Sequence, residues 1–211
     1  MLKTEFVPAK EPGSKRLLVA LHGLGDSAAG YRWLPLELRL PSLNYLLVNA
    51  PDAYYGGFSW YDFSGDEGAG IRRSRKLLFD LLDAQPARGF PTENTVLFGF
   101  SQGCLMTVDV GFRYPRRFAA LVGVSGYVHD LEILLRERSA VAGEQKMLFT
   151  HGTLDPLVPC AQVRKQVAVL QENGMCIDWV EFPKAHTIHG DAELDVIREF
   201  IKKHLSTEGR I

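Results

Sequence analysis

Apolar residues run almost unbroken over several short stretches of the chain, and stretches with helical spacing lie between them. Arg16 to Leu21 (RLLVAL), Leu43 to Val48 and Asn94 to Phe98 show no polar alternation. That is the pattern of strands buried on both faces of a parallel sheet. Phe118 to Ser125, Lys146 to Thr150 and Cys176 to Phe182 read as three further strands. Helices are expected over Ile71 to Ala84, Gln102 to Phe112, 131–138, Val163 to Glu172 and Glu193 to His204, with Asn173-Gly174 as a stop signal. Between Asp52 and Gly70 the density of aromatics and glycines predicts a surface loop. Strands alternating with helices predict an α/β protein with a mainly parallel sheet. No repeat, linker or low-complexity tract interrupts the pattern, so a single domain over 1–211 is expected.

Composition narrows the function classes. Hydrophobic residues make up 46% of the 211 residues and charged residues 23%, ordinary for a globular protein. A formal net charge of −1 provides no general attraction to nucleic acid or to an anionic membrane. The basic clusters Arg72-Arg73-Ser74-Arg75 and Arg113-Tyr114-Pro115-Arg116-Arg117 are short and read as solvated faces. Met1 to Arg16 has no apolar core of a signal peptide, and no run approaches the roughly 18 apolar residues of a membrane span. Cys104, Cys160 and Cys176 leave one thiol unpaired in any intramolecular scheme and show no metal-ligand spacing. Packed thiols in a reducing cytoplasm are expected, Cys104 among them as a helix thiol beside the motif described next.

Gly99-Phe100-Ser101-Gln102-Gly103 fits the pattern G-x-S-x-G, and its setting makes the match informative. A strand stops, the chain turns sharply, and a helix begins with the serine at the apex. Glycines are needed because side chains at 99 or 103 would crowd the turn. A serine hydroxyl is a poor nucleophile at neutral pH and needs an adjacent base; histidine suits this, with an unperturbed pKa of about 6.5. A carboxylate must then fix the imidazole tautomer, and in this strand–turn–helix context the chain order is Ser, Asp or Glu, His.

That order is a strong filter. His22 precedes the serine, His129 and His151 come before the best acid is passed, and His204 sits beside Lys202 and Lys203 at the end of a helix. Asp155, in the loop His151-Gly152-Thr153-Leu154-Asp155-Pro156 past the end of a strand, is the best acid. Asp178 falls inside a strand pattern, Asp109 in the helix after the serine and Asp130 at the start of a short helix. For the base, His186 follows a strand end and a turn and is favoured over His189, which adjoins the closing helix. Oxyanion donors are expected from the backbone N–H of Gln102 and from the glycine-rich loop His22-Gly23-Leu24-Gly25.

The segments LHGLGDS (Leu21–Ser27), NAP (Asn49–Pro51), SWYDF (Ser59–Phe63), GFSQG (Gly99–Gly103), SGY (Ser125–Tyr127), HGTLDPLVP (His151–Pro159) and AHTIHG (Ala185–Gly190) occur in one order over nearly the whole chain. In this the chain resembles the acyl-protein thioesterase/carboxylesterase family of the α/β-hydrolase superfamily. The resemblance implies an α/β-hydrolase fold with a central, mainly parallel sheet flanked by helices and no large cap domain. It implies Ser101 as nucleophile, Asp155 as acid, His186 as base, and the amides of Leu24 and Gln102 as oxyanion hole. Trp60, with Phe58 before it, would lie at the acyl pocket. The loop Asp52–Phe58 is shorter than is typical of the family, and the segment His129–Gln145 is peculiar to this chain.

The expected activity is hydrolysis of carboxylic esters with short to medium acyl chains, through an acyl-enzyme and without cofactor or metal. Acyl-protein thioesterase or lysophospholipase activity is the alternative, and a non-catalytic ligand-binding protein of the same fold a remoter one. Expected partners are a small-molecule ester or thioester and neither nucleic acid nor an integral membrane association. The aromatic loop (Tyr54, Tyr55, Phe58) is either a pocket wall or a contact for a homodimer or another partner.

Overall fold

The computed structural model describes residues 1–205; the last six residues of the expected domain, 206–211, lie outside it. Its strands are β1 (Thr4–Val7), β2 (Arg16–Leu21), β3 (Leu43–Val48), β4 (Asp52–Tyr54), β5 (Gly57–Ser59), β6 (Thr95–Phe100), β7 (Ala120–Val124), β8 (Lys146–Gly152) and β9 (Cys176–Phe182). The helices are α1 (Leu34–Leu38), α2 (Glu67–Asp83), α3 (Gln102–Arg113), α4 (Leu131–Glu137), α5 (Cys160–Glu172) and α6 (Gly190–Leu205). Seven strands form one sheet in the order β1-β3-β2-β6-β7-β8-β9, and β4 pairs with β5 in a separate hairpin. In the large sheet, among the described residues, only β1 runs antiparallel to its neighbour, with Thr4 opposite Val48; the other pairings are parallel. This is the α/β-hydrolase architecture, and among the described residues no cap domain covers it.

Alternate residues of each buried strand serve two cores, which explains the unbroken apolar runs. Leu17, Val19 and Leu21 of β2 pack with α2, α3 and α5 on one face. Leu18 and Ala20 pack with α1 and α6 on the other. α3 is buried on every side, in keeping with its mixture of small and apolar residues.

The structure departs from the expected elements where local signals are weak. β1, with only alternate residues half-buried, and α1, with five residues and Pro35 near its start, show too little periodicity to be read. The stretch 52–70 is not simply a surface loop. It contains the β4–β5 hairpin, the fully buried Trp60 and Tyr61, and the first turn of α2, capped by the Asp66 carboxylate on Ala69 N–H. The basic clusters are not solvated throughout: Arg75 and Arg113 are largely buried and pair with Asp109 and Glu137.

At the centre of the sheet the chain turns from β6 into α3 through Ser101, whose backbone has φ 54° and ψ −117°. A left-handed φ is uncommon for serine and is held here by contacts that only glycine permits. A Cβ at Gly99 would sit 2.1 Å from the Gly103 carbonyl oxygen, and one at Gly103 would sit 2.1 Å from that of Leu21. Both obstacles are backbone, so they cannot rotate away. Gly103→Ala is therefore expected to destabilise the fold by roughly 1–3 kcal/mol or more. Gly65→Ala, whose Cβ would meet only the Asp62 side chain at 3.6 Å, should stay within about 0.5 kcal/mol. Urea unfolding of the two variants measures the difference; equal stabilities would contradict the packing argument.

Candidate active site

The carboxyl ends of β6, β8 and β9 bring three polar side chains into one chain of hydrogen bonds. Ser101 leaves β6, Asp155 follows β8, and His186 follows β9. His186 Nε2 lies 2.8 Å from Ser101 Oγ, and His186 Nδ1 lies 2.7 Å from Asp155 Oδ2. An ionised carboxylate only accepts, so Nδ1 carries the proton and Nε2 presents its lone pair to the serine hydroxyl. The other Asp155 oxygen, Oδ1, accepts the N–H groups of Leu157 and Val158, each at 2.9 Å. Burial opposes the charge on Asp155, but the Val158 amide, His186 and the Leu157 amide outweigh it and hold the carboxyl below its usual range.

A second imidazole lies against Asp155. His151 is fully buried; its Nε2–H donates to the Val158 carbonyl at 2.9 Å and lies 3.5 Å from Asp155 Oδ2. Its ring stacks on Trp179 with centroids 5.7 Å apart. Burial disfavours the imidazolium, so the pKa of His151 is depressed.

The glycine-rich loop after β2 is braced against the same elbow. A Cβ at Gly23 would lie 3.0 Å from the Phe100 ring and 3.4 Å from Ser101 Cβ, so the loop backbone lies directly over the elbow. His22 Nε2 accepts Ala50 N–H at 3.1 Å, which leaves Nδ1 as the protonated nitrogen, donating to Gly23 O at 2.6 Å. Burial depresses the pKa of His22 and favours this neutral form. Trp60 Nε1 donates to His22 O at 2.9 Å. The buried Gln102 carboxamide accepts Trp60 N–H at 2.9 Å and donates to Tyr61 O at 2.9 Å. The Leu24 N–H has no acceptor among the described residues, and the Gln102 N–H at the first helical position has no preceding turn to bond. Both residues line the cavity beside Ser101.

That cavity has a volume of about 610 Å³, within the range of small-molecule sites. Beyond Ser101 and His186 its apolar walls come from Tyr61, Phe63, Tyr127, Leu157, Val158 and Val163. Trp60 and Phe58, expected at the pocket, are not among the wall residues. Trp60 is buried beneath the His22 loop, while the Phe58 backbone pairs with Gly25 N–H and Asp26 O, each at 2.9 Å. The wall residues missed from sequence belong largely to recognised segments: Tyr61 and Phe63 to SWYDF, Tyr127 to SGY, Leu157 and Val158 to HGTLDPLVP. Residue type alone does not tell which aromatic of SWYDF faces the cavity. Among the alternatives, the His189 ring lies against Phe182, with centroids 6.2 Å apart, and Asp178 is exposed on β9. No group of three or more His, Cys, Asp or Glu among the described residues is arranged to hold a metal ion. No helix among them is long and apolar enough to cross a membrane.

Buried neutral imidazoles make stability depend on pH with a definite sign. His22 and His151 have depressed folded-state pKa values, so below about pH 6.5 the unfolded chain binds protons that the folded chain refuses. Stability should be full above that pH and fall as the pH drops toward the folded-state values. Thermal melts from pH 8 to 5 should show a falling midpoint, with a shallower slope in His151→Gln, which keeps a donor but cannot titrate. An unchanged slope in that variant would exclude His151 as a contributor.

The model of the phospholipase/carboxylesterase family matches residues 2–205. Acyl-protein thioesterase 1 of Schizosaccharomyces pombe is 30% identical over 190 residues, covering 83% of this chain and 85% of that protein. Its Saccharomyces cerevisiae counterpart of the same name is 28% identical over 95% of this chain and 98% of its own. Among solved structures, esterase PE8 superposes with a TM-score of 0.84 at 28% identity, covering 97% of this chain and 99% of that one. By the extent of this match the chain belongs to the phospholipase/carboxylesterase family.

Proposed function

We propose that the chain is a serine hydrolase of carboxylic esters and thioesters that works through an acyl-enzyme on Ser101. The single observation that carries this reading is the hydrogen-bond chain from Ser101 Oγ through His186 to Asp155 at the edge of an apolar cavity. In the reaction, Ser101 Oγ attacks the acyl carbon while His186 Nε2 takes its proton. Asp155 holds the tautomer and stabilises the imidazolium. The carbonyl oxygen, now negative, is bound by the N–H groups of Leu24 and Gln102, the second backed by the positive end of α3. His186 then protonates the leaving alcohol or thiol, and water repeats the sequence on the acyl-enzyme.

The apolar cavity walls suit an acyl chain, and short to medium chains are the substrates proposed. The relatives named acyl-protein thioesterase favour thioesters as a second substrate class. The same groups serve both, since only the leaving atom differs. The compartment proposed for the enzyme is the cytoplasm, where its three free thiols would stay reduced.

Initial rates on p-nitrophenyl esters from acetate to palmitate, with an acyl thioester alongside, test the reading. Hydrolysis is expected to peak at short or medium chains. Ser101→Ala and His186→Ala are each expected to lower kcat by roughly 10⁴–10⁶-fold, because the three residues act as a unit. His189→Ala should cost far less, and equal losses at the two histidines would refute the assignment. Folded protein that hydrolyses none of these substrates would favour a non-catalytic binding protein instead.

A further inference from the structure

One buried ion pair lies outside the hydrogen-bond chain of the site and touches none of its reacting atoms. The side chains of Lys184 and Glu193 are 1% and 0% exposed. Lys184 Nζ donates to Glu193 Oε1 at 2.6 Å, to Oε2 at 2.8 Å, and to the carbonyl of Thr187 at 2.7 Å. Glu193 Oε2 in turn accepts the N–H of His189 at 2.6 Å. These contacts bracket His186: Lys184 precedes it by two residues, and the Thr187 carbonyl and His189 amide follow it. The turn is also tied to the acid's loop, because the Lys184 carbonyl accepts Leu154 N–H at 3.1 Å, one residue before Asp155. Gly152 lets the two segments close, since a Cβ there would lie 2.3 Å from the Lys184 oxygen.

A buried ion pair is a poor source of stability. Removing two charges from water is costly, and apolar residues of similar volume often serve as well or better. What apolar residues would not do is tie Lys184, before His186, to the backbone after it at the Thr187 carbonyl and the His189 N–H. We infer that the Lys184–Glu193 pair is a positioning device for His186, holding the 184–189 turn so that one imidazole meets Ser101 and Asp155 together. It acts through His186 and rests on the proposal that His186 is the base. A turn without it would be free to sample other backbone states, and displacement of a catalytic group by about 1 Å costs on the order of 10²-fold in rate.

The double variant Lys184→Met/Glu193→Gln removes both charges and leaves a carboxamide oxygen for the His189 N–H. Relative to wild type, kcat is expected to fall by about 10–100-fold with KM within about twofold and the melting temperature unchanged or higher. The low-field proton NMR resonance of His186 Nδ1–H should broaden or vanish as its bond to Asp155 loosens. Wild-type kcat in folded double variant would overturn the inference, as would a kcat loss that merely follows a falling melting temperature. Should that variant not fold, Glu193→Asp keeps the charge but draws the carboxylate back by one methylene. It should lose kcat severalfold at unchanged KM, and wild-type kcat would overturn the inference equally. His186→Ala separates the two levels. If it stays active, the reading of the base fails; if it is inactive while both ion-pair variants keep wild-type kcat, only the positioning role fails.

Discussion

The backbone of Ser101 is held at a positive φ by the close approach of α3 to β2 and β6, and the rest of the site hangs on that contact. Gly103 lies against the Leu21 and His22 carbonyls, and Gly99 lies against Gly103. A left-handed non-glycine residue costs on the order of 1–3 kcal/mol, offset here by burying α3 on all sides between the sheet and its neighbours. The same approach aims the start of α3 at the cavity and turns the Gln102 carboxamide inward. Gln102 then holds Trp60, Trp60 holds the His22 carbonyl, and His22 holds the turn at Gly23 that presents Leu24. The two amides beside Ser101 are thus set by one continuous, buried set of bonds.

Several of the polar groups in the interior cluster at this edge of the sheet. His22, Gln102, His151, Asp155, Lys184 and Glu193 are all buried; His151 is near the carboxyl end of β8, and the others sit on loops or helix starts that follow β2, β6, β8 and β9. Burying such groups is costly unless their bonds are made, and most of these bonds run to backbone atoms of the loops. The cost is concentrated where loops must be held to a fraction of an ångström. A second buried polar group, Asp109 with Arg75 and Arg113, lies between α2 and α3.

Much of this was legible in the chain. Unbroken apolar runs marked β2, β3 and β6 because a strand covered on both faces needs no polar alternation. The elbow was legible because its glycines are required sterically, and chain order singled out Asp155 and His186, the two side chains joined to Ser101 by hydrogen bonds. What was not legible depends on partners far away in sequence. Trp60 bonds Gln102 across 42 positions, and nothing local tells whether an aromatic faces a cavity or lies under a loop. β1 needs β3 to exist as a strand, and α1 is too short to show a period. The buried pairing of Lys184 was invisible because its partner, Glu193, reads as an ordinary residue in the first turn of an amphipathic helix.

The most direct measurement is rapid acid quench of the protein with a p-nitrophenyl ester, followed by peptide mass analysis. One acyl group per chain, on the peptide bearing Ser101 and formed as fast as the first p-nitrophenol is released, is the expected result. Turnover with no acyl group on Ser101, or undiminished turnover in Ser101→Ala, would contradict the acyl-enzyme and the role of the elbow with it.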